Sequence, residues 1–217
     1  MHLSTENKVL IGIVVVTLGL LFGGAYYLTV SAPPEAKATV DVKETLSSSA
    51  YNKGDKNAKI KIVEYADFQC PACYASEPII QRVLKEYEGK YYFEYHHYPL
   101  PMHKWAQDAA ESAEAAGEQG KFWEYHEALF AKQNEWSEKP NAVESFKQYA
   151  KDLKLDEKKF NNSLDSHKFR DKVLDSVKKG NELAVSSTPT FFVNGKRVVG
   201  GLSYDAWKTL IEEELKK

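Results

Sequence analysis

Apolar and polar residues alternate through Lys59-Ile60-Lys61-Ile62 and close on Val63-Glu64-Tyr65, the period of two expected of a strand. From Pro78 the spacing changes, with Ile79, Ile80, Val83 and Leu84 recurring at helical intervals. Gly89 breaks that pattern ahead of Tyr91-Tyr92-Phe93-Glu94-Tyr95-His96-His97-Tyr98, a run of aromatic β-formers. Strand, helix and strand in this order predict a parallel pair joined by a right-handed crossover. Helical spacing then holds across residues 99–185. Ala106, Ala109, Ala110, Ala113 and Ala116 form a small-residue face, and Phe122, Leu129 and Phe130 a bulkier one. Val143, Phe146, Ala150 and Leu153 mark another helix, and Phe169, Val173, Leu174 and Val177 a further one, all expected to face a core. Strands return at Thr190-Phe191-Phe192-Val193 and Lys196-Arg197-Val198-Val199. The Asn194-Gly195 pair between them tolerates positive φ and predicts an antiparallel hairpin. A last helix, capped by Ser203, is expected to bury Trp207, Leu210, Ile211 and Leu215.

Residues 9–30 carry no charge. As a helix rising about 1.5 Å per residue, they would extend roughly 33 Å, just over the hydrocarbon core of a bilayer. A retained membrane anchor is favoured over a cleaved signal peptide, because the apolar stretch is long for a signal and Pro33 follows the small residues Ser31 and Ala32. Membrane lipid is thus an expected partner. Residues 1–8 read as a cytoplasmic amino terminus and the globular part as extracytoplasmic. Pro33-Pro34, scattered charge and Ser47-Ser48-Ser49 make residues 31–57 a linker. With 217 residues, 43% apolar, the chain has ample material for a packed core. A formal charge of −2 without a basic patch argues against nucleic acid as a partner.

The chain has two cysteines, in Cys70-Pro71-Ala72-Cys73, placed where the first strand gives way to the helix. At a helix N-terminus, unpaired N–H groups and the positive end of the dipole favour a thiolate, the form that attacks disulfides. Cys73, one turn further in, is expected to be more buried, which suggests Cys70 as the attacking sulfur and Cys73 as the resolving one. A zinc site is the competing reading. With no second cysteine pair it would need histidines from His96, His97, His103, His126 or His167, of which only His97 and His103 stand at a zinc-ligand spacing, and the strand-to-helix placement of the cysteines favours redox chemistry over that set. No metal and no cofactor is expected, and none of the histidines is assigned a catalytic role.

Four stretches carry a family resemblance: Ile62 to Cys73, Tyr98-Pro99-Leu100-Pro101-Met102-His103, Gly120 to His126, and Ser187-Thr188-Pro189-Thr190 continuing to Gly195. Together they resemble the DsbA-type thiol-disulfide oxidoreductases, and among these the membrane-anchored, BdbD-like members. The resemblance implies an α/β, thioredoxin-like fold with an inserted helical domain, preceded by one transmembrane helix. The thioredoxin-like part would comprise residues 58–98 and 186–217, and the insertion residues 99–185. It also implies that Cys70 is the nucleophile and Cys73 the resolving cysteine. Pro189 matches a cis-proline facing the disulfide, leaving the Thr188 backbone to pair with an extended substrate. Glu64 matches a buried acid beneath the active site, suited to taking the proton of Cys73. Its alternation with Val63 and Tyr65 leaves a solvent-facing side chain open, and Lys90 is a candidate charge partner. Ala72 stands where strongly oxidising members place histidine.

The resulting expectation is a membrane-anchored extracytoplasmic enzyme that forms disulfides in exported protein thiols and is reoxidised by a membrane quinone-linked partner. A reductase using the same pair is the first alternative. A non-catalytic metal-handling or binding domain on the same scaffold is the alternative of another class.

Overall fold

The computed structural model describes residues 17, 19, 39–47 and 50–217, and the chain divides into two units, Met1–Ala36 and Lys37–Lys217. Apart from Thr17 and Gly19, the expected span at residues 9–30 lies outside the described residues. Among the described residues no helix is long and apolar enough to cross a membrane.

In the second unit, strand β2 (Ile60–Ala66) is the middle of a five-stranded sheet. It pairs in parallel with β3 (Tyr91–His97) and antiparallel with β4 (Thr190–Val193). β5 (Lys196–Val199) closes one edge as the expected hairpin, and β1 (Tyr51–Gly54) runs antiparallel to β3 at the other. Between β2 and β3 lies helix α2 (Pro71–Glu86), and α9 (Tyr204–Lys216) ends the chain. The Ser203 hydroxyl accepts the Ala206 N–H at 3.3 Å, the cap read from the sequence.

Period-two alternation divides the sheet into two faces. Ile60, Ile62, Glu64 and Ala66 share one face, in register with Phe93 and Tyr95 of β3 and with Phe191 and Val193 of β4. Ile80, Val83 and Leu84 of α2 and Trp207, Leu210 and Ile211 of α9 cover it. There the Trp207 ring meets Phe191 edge-on at 4.9 Å. Val63, Tyr65 and Phe192 point the other way and are covered by Leu183, Val185, Val40 and Leu46.

The helical stretch comprises α3 (Ala106–Gly117), α4 (Phe122–Ala131), α5 (Gln133–Trp136), α6 (Val143–Asp152), α7 (Glu157–Asp165) and α8 (Arg170–Glu182). The alanine face of α3 is buried as expected. The stretch belongs to the same compact unit as the sheet. In α8, Gly180 explains the close approach: a Cβ there would stand 2.7 Å from the Tyr98 ring and 3.1 Å from that of Tyr65. Leu174, expected in the core, is 49% exposed. The stripe on α8 is narrower than its apolar residues suggest, because only one side of the helix meets the protein.

The larger correction concerns residues 31–57, expected to be a linker. From Thr39 the described part is docked. Thr39 bridges Lys196, the Val40 N–H donates to Gly195 O at 3.0 Å, and a short helix α1 (Val42–Thr45) precedes β1. The Ser47 N–H donates to the buried Glu94 carboxylate at 2.8 Å, and Tyr51 stacks on Phe122 with centroids 3.5 Å apart. The composition is that of a tether, but Val40 and Leu46 give it apolar surface that closes the second face, and Tyr51 packs against the main core.

Gly195 has φ +83°, and a Cβ there would lie 2.0 Å from Val40 O. Gly195→Ala should therefore lower stability by at least about 1–2 kcal/mol from the left-handed backbone alone, seen as a lower urea midpoint at unchanged m. Amide exchange at Val40 should quicken as well. An unchanged midpoint would contradict the docking of this segment.

Candidate active site

Cys70 occupies the N-cap of α2 with extended backbone, φ −71° and ψ 123°, and Pro71 opens the helix where a missing N–H costs nothing. The Cys70 thiol makes no cap bond of its own, which leaves the N–H groups at the helix start to its thiolate. Both cysteines are unbonded thiols, Cys70 6% exposed and Cys73 1%. The Thr188–Pro189 peptide is cis, and the Cys70 thiol donates to Thr188 O at 3.4 Å. The structure thus brings Cys70, Cys73, Thr188 and Pro189 to the junction of α2 with the start of β4.

The electrostatics separate the two sulfurs. A hydrogen bond from the Cys73 thiol, supported by Thr188 and by the backbone N–H groups of Cys73 and Ala72, pulls the Cys70 pKa down to about 5 against the opposing effect of burial. The Thr188 hydroxyl has no other partner among the described residues and is free to turn to the thiolate. Cys73 is pushed well up, chiefly by burial, then by its bond to Cys70 and the Cys70 charge, with a smaller contribution from Glu64. One sulfur is built to carry charge near neutral pH and the other to hold its proton.

Glu64 lies on the inner face of β2, 2% exposed, between its register partners Tyr95 and Phe191. The solvent-facing alternative is thereby removed. Burial, followed by repulsion from Glu77, raises its pKa well above the ordinary carboxylate range, and its Oε2 has no partner among the described residues. Lys90 does not pair with it and instead lies 5.9 Å from the centre of the Tyr87 ring.

Sequence reasoning missed three contributors. Glu77 stands four residues after Cys73, the same face of a helix, and that spacing could have flagged it. Burial lifts its pKa to about 7, partly offset by a hydrogen bond from Gln81. It borders a cavity of about 360 Å³ between α2 and α4, together with Tyr74, Pro78 and Phe130. Asp67 fixes the loop before the nucleophile: its carboxylate accepts the N–H of Gln69 at 2.7 Å and of Leu100 at 2.9 Å, and lies 2.6 Å from His103 Nδ1. Gln133 reaches the same loop from α5, and no sequence signal marks it. His96 and His97 contact Glu94 and Glu114 at 3.2 Å, while His126 is buried among rings with its pKa held well down by burial. Among the described residues no group of three or more metal-ligating side chains comes together.

A family model described as thioredoxin matches residues 48–213. The chain is 28% identical over 177 residues to the probable disulfide bond formation protein D of Bacillus anthracis, covering 78% of this chain and 80% of that protein. Its fold is similar to oxidised BdbD from Bacillus subtilis, with a TM-score of 0.73, 25% identity, and 83% and 100% of the two chains covered. It is also 34% identical over 219 residues to a Na(+)/H(+) antiporter, NhaA 1 of Salinispora arenicola, covering 95% of this chain and 33% of the antiporter. The chain spans a third or less of the length of the antiporters it matches, and their cation exchange is a statement about those longer proteins.

Alkylation of Cys70 should reach half its maximal rate near pH 5. Cys73→Ala should move that point upward, because it removes the strongest contribution to the lowered pKa. Linkage has a definite sign: a depressed thiol pKa stabilises the folded state above its unfolded value and ceases to do so as pH falls through the folded value. The reduced protein should therefore gain stability over the oxidised one as pH rises from about 5 to about 9. Glu64 and Glu77 titrate in both forms and largely cancel from that difference. A half-point near the ordinary thiol value would contradict the site geometry.

Proposed function

The chain belongs to the thioredoxin family, and from that premise we propose that it is a thiol-disulfide oxidoreductase of the DsbA type, anchored by residues 9–30, that forms disulfides in exported proteins. A depressed Cys70 pKa beside a raised Cys73 pKa, one helical turn apart, carries this reading. In the oxidised enzyme a substrate thiolate attacks Cys70 Sγ, and the Cys70–Cys73 bond breaks as the mixed disulfide forms. The electron pair leaves on Cys73, which takes a proton, and Glu64 is the acid placed to supply it. A second substrate thiolate then attacks the substrate sulfur of the mixed disulfide. Substrate departs with its disulfide, and Cys70 leaves as the thiolate the site stabilises. Two electrons now reside on the enzyme pair.

Thr188 and Pro189 form the substrate-binding edge beside Cys70, where the Thr188 backbone suits an extended polypeptide. A quinone-linked membrane protein is the partner that returns the pair to the disulfide, and a tether to the same bilayer raises its effective concentration. One observation favours the reductase direction as a second reading: Ala72 offers the Cys70 thiolate neither charge nor a side-chain hydrogen bond. The enzyme is on this account a milder oxidant than relatives with histidine at that position.

Cys73→Ala should accumulate mixed disulfides through Cys70 that dissolve on reduction, while Cys70→Ala should trap none. Equal trapping by both variants, seen on non-reducing gels, would defeat the assignment of roles.

Ala72→His should raise the reduction potential measured against glutathione. A charge-assisted hydrogen bond of roughly 1.5–3 kcal/mol corresponds to about 30–65 mV for a two-electron couple. No rise would defeat the electrostatic account of the direction.

A further inference from the structure

The helix that carries the nucleophile begins without the usual cap. An N-cap side chain ordinarily accepts a backbone N–H and so fixes the turn into the helix. At Cys70 that side chain is the reacting group: the thiol makes no cap bond, and the N–H groups of Ala72 and Cys73 serve the thiolate instead. Something else must hold the peptide that aims the sulfur.

The geometry points to Gln133 as the positioning residue of the Cys70 thiolate, acting from the helical insertion through the backbone of the nucleophile itself. Gln133 is 3% exposed, and its Nε2 donates to Phe68 O at 2.7 Å and to Cys70 O at 3.0 Å. Cys70 O also accepts the Tyr74 N–H at 3.1 Å, the first bond of the helix. One amide therefore joins a loop carbonyl two residues before the nucleophile to the first helical one, fixing the rotation of the Cys70 peptide. That rotation decides whether Sγ meets the N–H groups of Ala72 and Cys73.

Other contacts from the insertion stop short of the nucleophile. Asp67 is held by Leu100 and His103, and Gln69 accepts the Trp105 N–H at 2.6 Å and donates to Ser137 O at 2.9 Å. Among these side-chain contacts, that of Gln133 reaches the Cys70 peptide. Its own placement is firm, because Trp136 on the same short helix is fully buried and its Nε1 donates to Leu129 O at 2.9 Å. The insertion is thus a jaw closed on the N-terminus of α2 as well as a cover for the sheet.

This assignment rests on Cys70 being the reactive sulfur, and its test reads the thiolate directly. In the reduced full chain, thiolate absorbance near 240 nm is titrated for wild type, Gln133→Met and Trp136→Phe, with stability measured alongside. Gln133→Met keeps the side-chain length and removes the donor. Its Cys70 half-point should rise by about one pH unit, a tenfold loss of thiolate at low pH. Trp136→Phe keeps a ring in the core but loses the Leu129 bond, so it should lower stability and raise the half-point by much less than Gln133→Met. If Gln133→Met does not fold, Gln133→Asn, whose amide is drawn back by one methylene, should shift the half-point in the same direction. An unmoved half-point in a folded Gln133 variant overturns the proposal, and so does an equal rise in Trp136→Phe. A chain that exchanged no disulfides but still showed the Gln133-dependent shift would defeat the proposed function and leave this assignment standing.

Discussion

A thiolate held inside protein is costly unless hydrogen bonds replace the water it gives up, and the architecture around Cys70 answers that requirement. The N-terminus of α2 offers the N–H groups of Ala72 and Cys73, the Cys73 thiol adds the strongest bond, and Thr188 arrives from the far side of the fold. None of these donors is useful alone. Helix and β4 must meet at one point, and they do so because β2 pairs with β4 while its own C-terminal end feeds the loop into α2. Central strand, helix start and Thr188 are therefore one geometric problem with one solution.

The same burial that must be offset at Cys70 is exploited beneath it. Cys73, Glu64 and Glu77 lie in surroundings where charge is disfavoured, and each holds its proton above its ordinary range. Two carboxyl groups that repel one another seldom ionise together, so a proton is kept within reach of the sulfur that needs it. Aromatic packing keeps water out: Tyr95, Phe68, His126 and Phe130 form a contiguous set of ring contacts behind the site. The raised acids and the lowered thiol are two consequences of one dry interior, distinguished by which group is given donors.

Much of this was legible from the chain, and the exceptions have physical causes. The β2–α2–β3 run, the Asn194-Gly195 hairpin and the Ser203 cap depend on local periodicity and turn chemistry, which sequence displays directly. β1 did not, because Tyr51-Asn52-Lys53-Gly54 is a short edge strand whose order comes from pairing with β3 and stacking on Phe122. The face of Glu64 was ambiguous until register placed it beside Ile62 rather than Val63. Gln133 was invisible, since the carbonyls it holds lie 65 and 63 positions away and meet it only when the insertion folds back.

Membership of the thioredoxin family and the asymmetry of the two sulfurs converge on disulfide exchange, and the oxidising direction is the central claim of the proposed function. It is tested most directly by the state of the pair in living cells. Cells expressing the full chain would be quenched in acid, alkylated with a mass-adding maleimide, and the protein resolved by size. The account expects the Cys70–Cys73 pair to be predominantly disulfide, shifting to two modified thiols only after reductant. A pair found as free thiols during growth would contradict an oxidase.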